Sequence, residues 1–471
     1  MSTEFHKIFT VDPFKGMKKN DLGEVCNLNN GRWIRGKSFR TDIPDPLNGE
    51  DFLSIPDTFE YLDYINNLDI CPKSGLHNPL KNVERYLMLG KVCTKAAEIL
   101  RNVEVENYFT KLIQRVMPKS NTQCLGEVTV TRIFLENFSG DNVRFLARSF
   151  SNPGDHFGQE SSGYRWPFGS VCIIAPFNFP LEIPALQVMG ALFMGNRPLV
   201  KVDSKVSVVF EQFLRLLIYC GLPPEDVDLI HCKGEVMGEL IEKGKHKIRL
   251  LQFTGSKEVA DKLAITCRGK IKIEDAGFDW KIIGPDYNPE WSEYVAWQAD
   301  EDAYNASGQK CSAQSILFVH ENWEKDLIPK LVTLASKRKL ENLDIGPVLT
   351  WSNSQIKDHL DSLLKIKGSK LLFGGKELND HSIPTNYGSI QPTAVQVPIK
   401  ELLTTNFELI TKEVFGPFQV IVSFSDKEIN QMKKVLEKIT QNLTAAIVSD
   451  DTFFQQDILA NTVNGTTYTG M

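Results

Sequence analysis

From residue 170 onward the chain alternates short apolar runs with longer helical ones, and nothing else in it constrains the fold as tightly. Ser170–Ala175 reads as a buried strand and 181–194 as an apolar helix, followed by a strand at 198–202 and a helix at 207–220. Further strands are expected at 227–231, Leu250–Thr254 and 270–274. Short apolar strands separated by helices make βαβ units and a parallel, doubly wound sheet. After Gly277 the pattern resumes, with strands at 314–319, Lys370–Phe373, 417–424 and 443–449 and helices at 323–338, 354–366 and 427–439. The fold class is α/β, in two units.

Residues 1–145 read as a lead-in. A β-prone stretch and a Pro-punctuated connection around Pro44 and Pro46 precede helices at 86–100 and 104–116, where apolar residues recur at helical spacing. Between them and the first βαβ unit, 148–167 carries the turn residues Asn152-Pro153-Gly154-Asp155 and Ser161-Ser162-Gly163, the chemistry of a protruding hairpin. No internal repeat is present.

At 471 residues, with 42% hydrophobic and 24% charged side chains, the chain is long enough for a large core and too apolar for wholesale disorder. The formal charge of −6 and the lack of a basic patch argue against nucleic-acid binding. No apolar run reaches the roughly 18 residues of a membrane span. The nine cysteines are odd in number, form no C-x-x-C pair and have no clustered histidines, so neither a disulfide framework nor a metal site is expected. The opening residues carry no signal-peptide or transit-peptide pattern.

Three segments can carry chemistry. Ala306-Ser307-Gly308-Gln309-Lys310-Cys311-Ser312 places a thiol on a tight segment between a helical stretch and a strand, where nearby N–H groups can stabilise an oxyanion and Lys310 can lower the thiol pKa. The same pattern also fits one more buried cysteine. Glu274 closes a strand, at the edge where ligands of open α/β sheets bind, so it suits a general base; a solvated strand-end acid is the alternative. Asn178, in Ala175-Pro176-Phe177-Asn178-Phe179-Pro180, offers an amide to an oxyanion or simply makes a turn. Gly255-Ser256 joins a strand to a helix whose free N–H groups suit a phosphate, although no G-x-G-x-x-G is present.

Taken in order, Pro176 to Pro180, Lys201, Phe253-Thr-Gly-Ser256, Glu274, Gly308-Gln-Lys-Cys311 and Glu413-Val-Phe-Gly-Pro417 resemble the motif series of the aldehyde dehydrogenase superfamily. Leu76-His-Asn-Pro79, Gly163-Tyr-Arg-Trp-Pro167, Glu274 to Trp280 and Gln309 to Gln314 are similar to its plant-type 1-pyrroline-5-carboxylate dehydrogenase branch, whose members oxidise glutamate semialdehyde to glutamate with NAD. The resemblance implies an NAD-binding domain at 1–147 and 168–275, an oligomerisation hairpin at 148–167 and a catalytic domain at 276–463. Residues 464–471 would begin a returning strand.

The resemblance further implies Cys311 as nucleophile, Asn178 as oxyanion donor and Glu274 as activator of the hydrolytic water. Lys201 and Glu413 would bind the cofactor riboses and Ser256 with Gly255 the pyrophosphate. Phe415 would pack near the nicotinamide, with Ala175, Pro176, Phe177 and Ser204 completing the cofactor site. It implies an aldehyde substrate bearing a carboxylate, a homodimer or larger homo-oligomer, and residence in the mitochondrial matrix, with the cytosol as alternative.

Departures are specific. Asp275-Ala276-Gly277-Phe278 replaces the usual Leu-Gly-Gly-Lys, Ala260 replaces a glycine, and Ser204 stands where NAD-preferring members carry Glu, which makes some NADP use conceivable. The family's tail, with its substrate-anchoring loop, is expected beyond Met471. Two other readings compete: a CoA-acylating dehydrogenase, which would not need Glu274, and a non-catalytic nucleotide-binding fold.

Overall fold

The computed structural model describes residues 7–36 and 39–471; the opening residues read above for a leader lie mostly outside them. The chain divides into two compact units, 1–45 with 50–117 and 121–275, and 46–49 with 118–120 and 276–471.

In the first unit Ser170–Ala175 is the pivot of a seven-stranded sheet. Arg197–Val202 and then Asp228–Leu229 lie on one side of it, Leu250–Thr254 and Ile271–Glu274 on the other, all parallel. The winding therefore reverses beside the pivot, and the crevice at such a reversal is where open α/β sheets bind ligands. The sheet is not wholly parallel as expected. Asn27–Asn29 and Arg32–Ile34 from the lead-in add two antiparallel strands at its edge. Helix Gly234–Gly244 and helix Lys257–Cys267 cover one face, where Leu199, Leu251, Phe253, Leu240 and Leu263 form a buried core. The helices Glu84–Leu100 and Val103–Val116 form as read; Asn102 caps the second by accepting from the Glu104 N–H at 2.9 Å.

The segment 148–167 forms a two-stranded antiparallel hairpin, Ser149–Pro153 with Glu160–Tyr164. Phe150 lies across Gly163 so closely that a Cβ there would stand 2.4 Å from the ring.

The second unit is also a seven-stranded sheet, ordered Lys370–Phe373, Thr393–Gln396, Phe418–Phe424, Gln314–His320, Asp279–Ile283, Thr444–Val448 and Thr466–Thr469. All pairings are parallel except that of the Lys370–Phe373 edge strand. Helices bury both faces, which is why the central strands are near-continuous apolar runs. The strand Asp279–Ile283, which pairs with Gln314–His320 and Thr444–Val448 inside the sheet, was not read from the sequence, and of helix Ser292–Tyr304 only a helical stretch before the thiol was. No helix among the described residues is long and apolar enough to cross a membrane.

Candidate active site

In the first unit the cofactor and base candidates share one edge of the sheet, because each follows the C-terminal end of a parallel strand. Ala175 ends the pivot strand, Lys201 sits one residue before the end of its neighbour, and Glu274 is the last residue of the Ile271–Glu274 strand. The turns are tied together: the Asp203 N–H donates to the Ala175 carbonyl at 3.2 Å and the Gly255 N–H to that of Glu274 at 3.1 Å. Ser204 follows directly, and the Lys205 ammonium stands 5.9 Å from the centre of the Phe177 ring.

Asn178 is buried, on a turn that Glu127 fixes from below. Glu127 Oε1 accepts from the N–H groups of Leu181 (2.7 Å) and Glu182 (3.1 Å), satisfying donors at the start of helix Glu182–Phe193. No local pattern announces this carboxylate, which comes from helix Asn121–Asn137, some 50 residues upstream.

Ser256 is the N-cap of the 11-residue helix Lys257–Cys267, yet its hydroxyl makes no capping bond. The end of that helix therefore keeps its anion-attracting N–H groups. Gly255 before it packs against the Phe253 ring, which a Cβ would approach to 2.7 Å. A helix N-terminus with no side-chain cap and a lysine on the strand beside the pivot, at a sheet reversal, fit the pyrophosphate and ribose of a dinucleotide.

In the second unit the thiol and the two remaining cofactor candidates sit on neighbouring loops. The helical stretch ahead of the thiol, which the sequence suggests running to Gly308, is helix Ser292–Tyr304 and ends at Tyr304. Ala306 (φ 53°), Ser307 (φ 57°) and Gly308 (φ 69°) then run left-handed in succession. For the two residues bearing a Cβ this costs about 1–2 kcal/mol each, and such strain collects where function demands a particular chain path. Cys311 follows, half-buried, before the strand Gln314–His320. A Cβ on Gly277 would stand 2.5 Å from the Cys311 carbonyl oxygen, so the loop rests directly on the Gly277 backbone. The loop bearing Glu413 and Phe415 touches the same loop from the other side, through Gly416 and Gly308.

Lys310 turns its ammonium toward unit-two charges: burial, the largest effect, lowers its pKa, while Asp302 and Glu301 oppose that and Lys281 and Arg338 add to it. Seven of the nine cysteines are buried, leaving Cys26 and Cys311 partly exposed. Burial, then the Glu211 carboxylate, pushes the Cys26 thiol up. Buried Cys172 and Cys93 are pushed up further by the same desolvation.

The aldehyde dehydrogenase family profile matches residues 89–469. The chain belongs to that family. As an aldehyde dehydrogenase it is 55% identical over 453 residues to the mitochondrial delta-1-pyrroline-5-carboxylate dehydrogenase of Arabidopsis thaliana, covering 95% of this chain and 81% of the relative. It is 24% identical over 441 residues to an alpha-ketoglutaric semialdehyde dehydrogenase of Bacillus subtilis, covering 90% and 85%. Among solved structures, betaine aldehyde dehydrogenase from Staphylococcus aureus, in complex with NAD+, superposes with a TM-score of 0.80 at 19% identity, covering 95% of this chain and 86% of that one. That likeness shows the fold. This aldehyde dehydrogenase is an oxidoreductase of aldehydes that draws on a nicotinamide cofactor.

Proposed function

We propose that this aldehyde dehydrogenase oxidises L-glutamate γ-semialdehyde, the open form of 1-pyrroline-5-carboxylate, to L-glutamate, with NAD as the preferred cofactor. The observation that carries the reading is the 55% identity to a dehydrogenase of that name across 95% of this chain. The stretches Leu76 to Pro79, Gly163 to Pro167, Glu274 to Trp280 and Gln309 to Gln314 support it residue by residue.

In this reading the Cys311 thiolate adds to the aldehyde carbon, making a thiohemiacetal. The Asn178 amide and the Cys311 backbone N–H hold the oxygen that gains charge. A bound nicotinamide cofactor would supply the hydride acceptor, so that the Cys311 adduct becomes a thioester. Glu274 then takes a proton from water, which attacks the thioester, frees glutamate and returns the thiolate. Lys201 and Glu413 would hold ribose hydroxyls, and Gly255 with Ser256 the pyrophosphate. Phe415 would stack by the nicotinamide, and the backbone and ring of Ala175, Pro176 and Phe177 would wall the site. The exposed hairpin at 148–167 would pair subunits into a homodimer or a multiple of it. The mitochondrial residence of the Arabidopsis relative supports the same compartment here.

The test is direct. Supplying 1-pyrroline-5-carboxylate and NAD should generate NADH steadily, and Cys311→Ala should abolish it. Turnover of other aldehydes with none of this one would overturn the substrate; release of a thioester only when CoA is added would overturn the hydrolytic step.

A further inference from the structure

We propose that Gln309 is a positioning residue for Cys311, its side-chain amide holding the nucleophile loop in its left-handed path. This rests on the reading of Cys311 as nucleophile. The run Ala306-Ser307-Gly308 adopts backbone angles that Ala and Ser rarely visit, so it needs contacts outside itself to persist.

Those contacts converge on one segment. The Gln309 side chain is fully buried. Its Oε1 accepts from the Leu349 N–H at 2.8 Å and its Nε2 donates to the Pro347 carbonyl at 3.0 Å. Two residues before it in the clip, Ser307 Oγ accepts from the Gly346 N–H at 2.7 Å. The segment 346–349 is itself fixed. Val348 exchanges backbone bonds with Gly388 at 2.8 and 2.9 Å. Its methyls sit against Gly416, 3.5 Å from where a Cβ would stand. The left-handed run is thus stapled, two residues ahead of Cys311, to a braced strand-like segment.

The chemistry of the staple is narrow. One end must accept from an N–H and the other must donate to a carbonyl, which an amide does at any pH. A protonated carboxyl does the same; a carboxylate cannot donate, and an aliphatic chain does neither. Leaving the Leu349 N–H and the Pro347 carbonyl unpaired in the interior is costly. A loop that relaxes to escape that cost moves the thiol.

The experiment compares wild type, Gln309→Glu and Gln309→Leu by the alkylation rate of Cys311, read on its peptide by mass spectrometry from mildly acidic to neutral pH. Thermal melting and NAD binding are followed alongside, and steady-state kcat and KM are measured where turnover allows. At neutral pH both variants should lose roughly tenfold or more in alkylation rate and kcat, with NAD binding and KM little changed. As the pH falls, Gln309→Glu should recover toward the wild-type rate at the same pH, and Gln309→Leu should not. Should the Leu variant fail to fold, the pH-dependent recovery of the Glu variant decides alone. Lower melting temperatures with wild-type Cys311 reactivity at every pH would overturn the proposal, reducing Gln309 to a stabilising residue. Because alkylation reads the thiol and not the dehydrogenase reaction, an active Cys311→Ser would count against the nucleophile reading and not against the staple.

Discussion

The carbonyl oxygen of Gly416 lies 2.0 Å from the point where a Cβ on Gly308 would stand, and Gly308 has a φ of 69°. The loop ahead of the Cys311 thiol and the loop after Glu413 and Phe415 therefore meet backbone to backbone, with no room for a side chain between them. Gly308→Ala meets two obstacles at once, a left-handed angle costing about 1–2 kcal/mol and a collision with a carbonyl that cannot swing away as a flexible side chain would. The variant should melt at lower temperature and lose well over half its activity, checked by calorimetry and by NADH production. Wild-type values for both would mean that the loops do not meet in this way.

The partly exposed thiols Cys26 and Cys311 separate by environment. The thiolate is the reactive form, and burial with Glu211 disfavours it at Cys26. Limiting iodoacetamide should label Cys311 ahead of Cys26 and leave the seven buried cysteines unmodified until the protein unfolds. Peptide mapping gives the order, and Cys26→Ala should leave turnover unchanged.

Ser204 bears on cofactor choice. A carboxylate at this place would repel a 2′-phosphate, and the hydroxyl does not. Ser204→Glu should raise KM for NADP by about an order of magnitude, if about 1.4 kcal/mol of repulsion is added, while KM for NAD changes little. Equal effects on the two cofactors would show that this side chain does not face the ribose.

Acid should unfold the protein through its histidines. Burial lowers His77 to about 4, His231 to about 3 and His359 to about 4 from an ordinary 6.5. For each, the unfolded chain binds a proton that the folded one refuses, so stability is fully present above pH 6.5. It is lost as pH falls toward the folded value, by about 1.4 kcal/mol per unit per histidine. His231 shows why. Its Nδ1 and its backbone N–H both point to Asn27 Oδ1, at 3.0 and 2.7 Å, so Nδ1 carries the proton of a neutral ring. A second proton would fall on Nε2, buried without a hydrogen-bond partner among the described residues and facing the Lys201 and Arg40 charges. Melting temperature should fall steadily below pH 6.5, and the slope should flatten in His231→Asn.

The strands Ser170–Ala175, Leu250–Thr254 and Lys370–Phe373 were legible to the residue, because short, mostly apolar runs bounded by turn residues and helical stretches admit few other structures. Asp279–Ile283 escaped because Asp279 and Lys281 break its apolar run. In the fold Asp279 accepts from the Thr444 N–H at 2.8 Å and Lys281 pairs with Asp302, contacts that no local pattern announces. The bounds of helix Ser292–Tyr304 escaped because its outward face carries Tyr294 and Trp297 among acidic residues, which blurs the apolar stripe. The antiparallel strands at the first sheet's edge come from a lead-in far away in sequence. Of the candidate site, Cys311, Glu274 and Asn178 are singled out by motif order alone. The left-handed path at Ala306 and Ser307 was not legible, because neither residue advertises a positive φ as glycine would.

The division of labour between Cys311 and Glu274 is the centre of the account, and a single-turnover measurement on Glu274→Gln tests it most directly. Mixed with 1-pyrroline-5-carboxylate and NAD, this variant should release NADH as a burst of about one equivalent per Cys311 and then stop. The Cys311 peptide should carry the acyl group as a thioester. Sustained turnover without a burst, or an acyl group on any other residue, would contradict it.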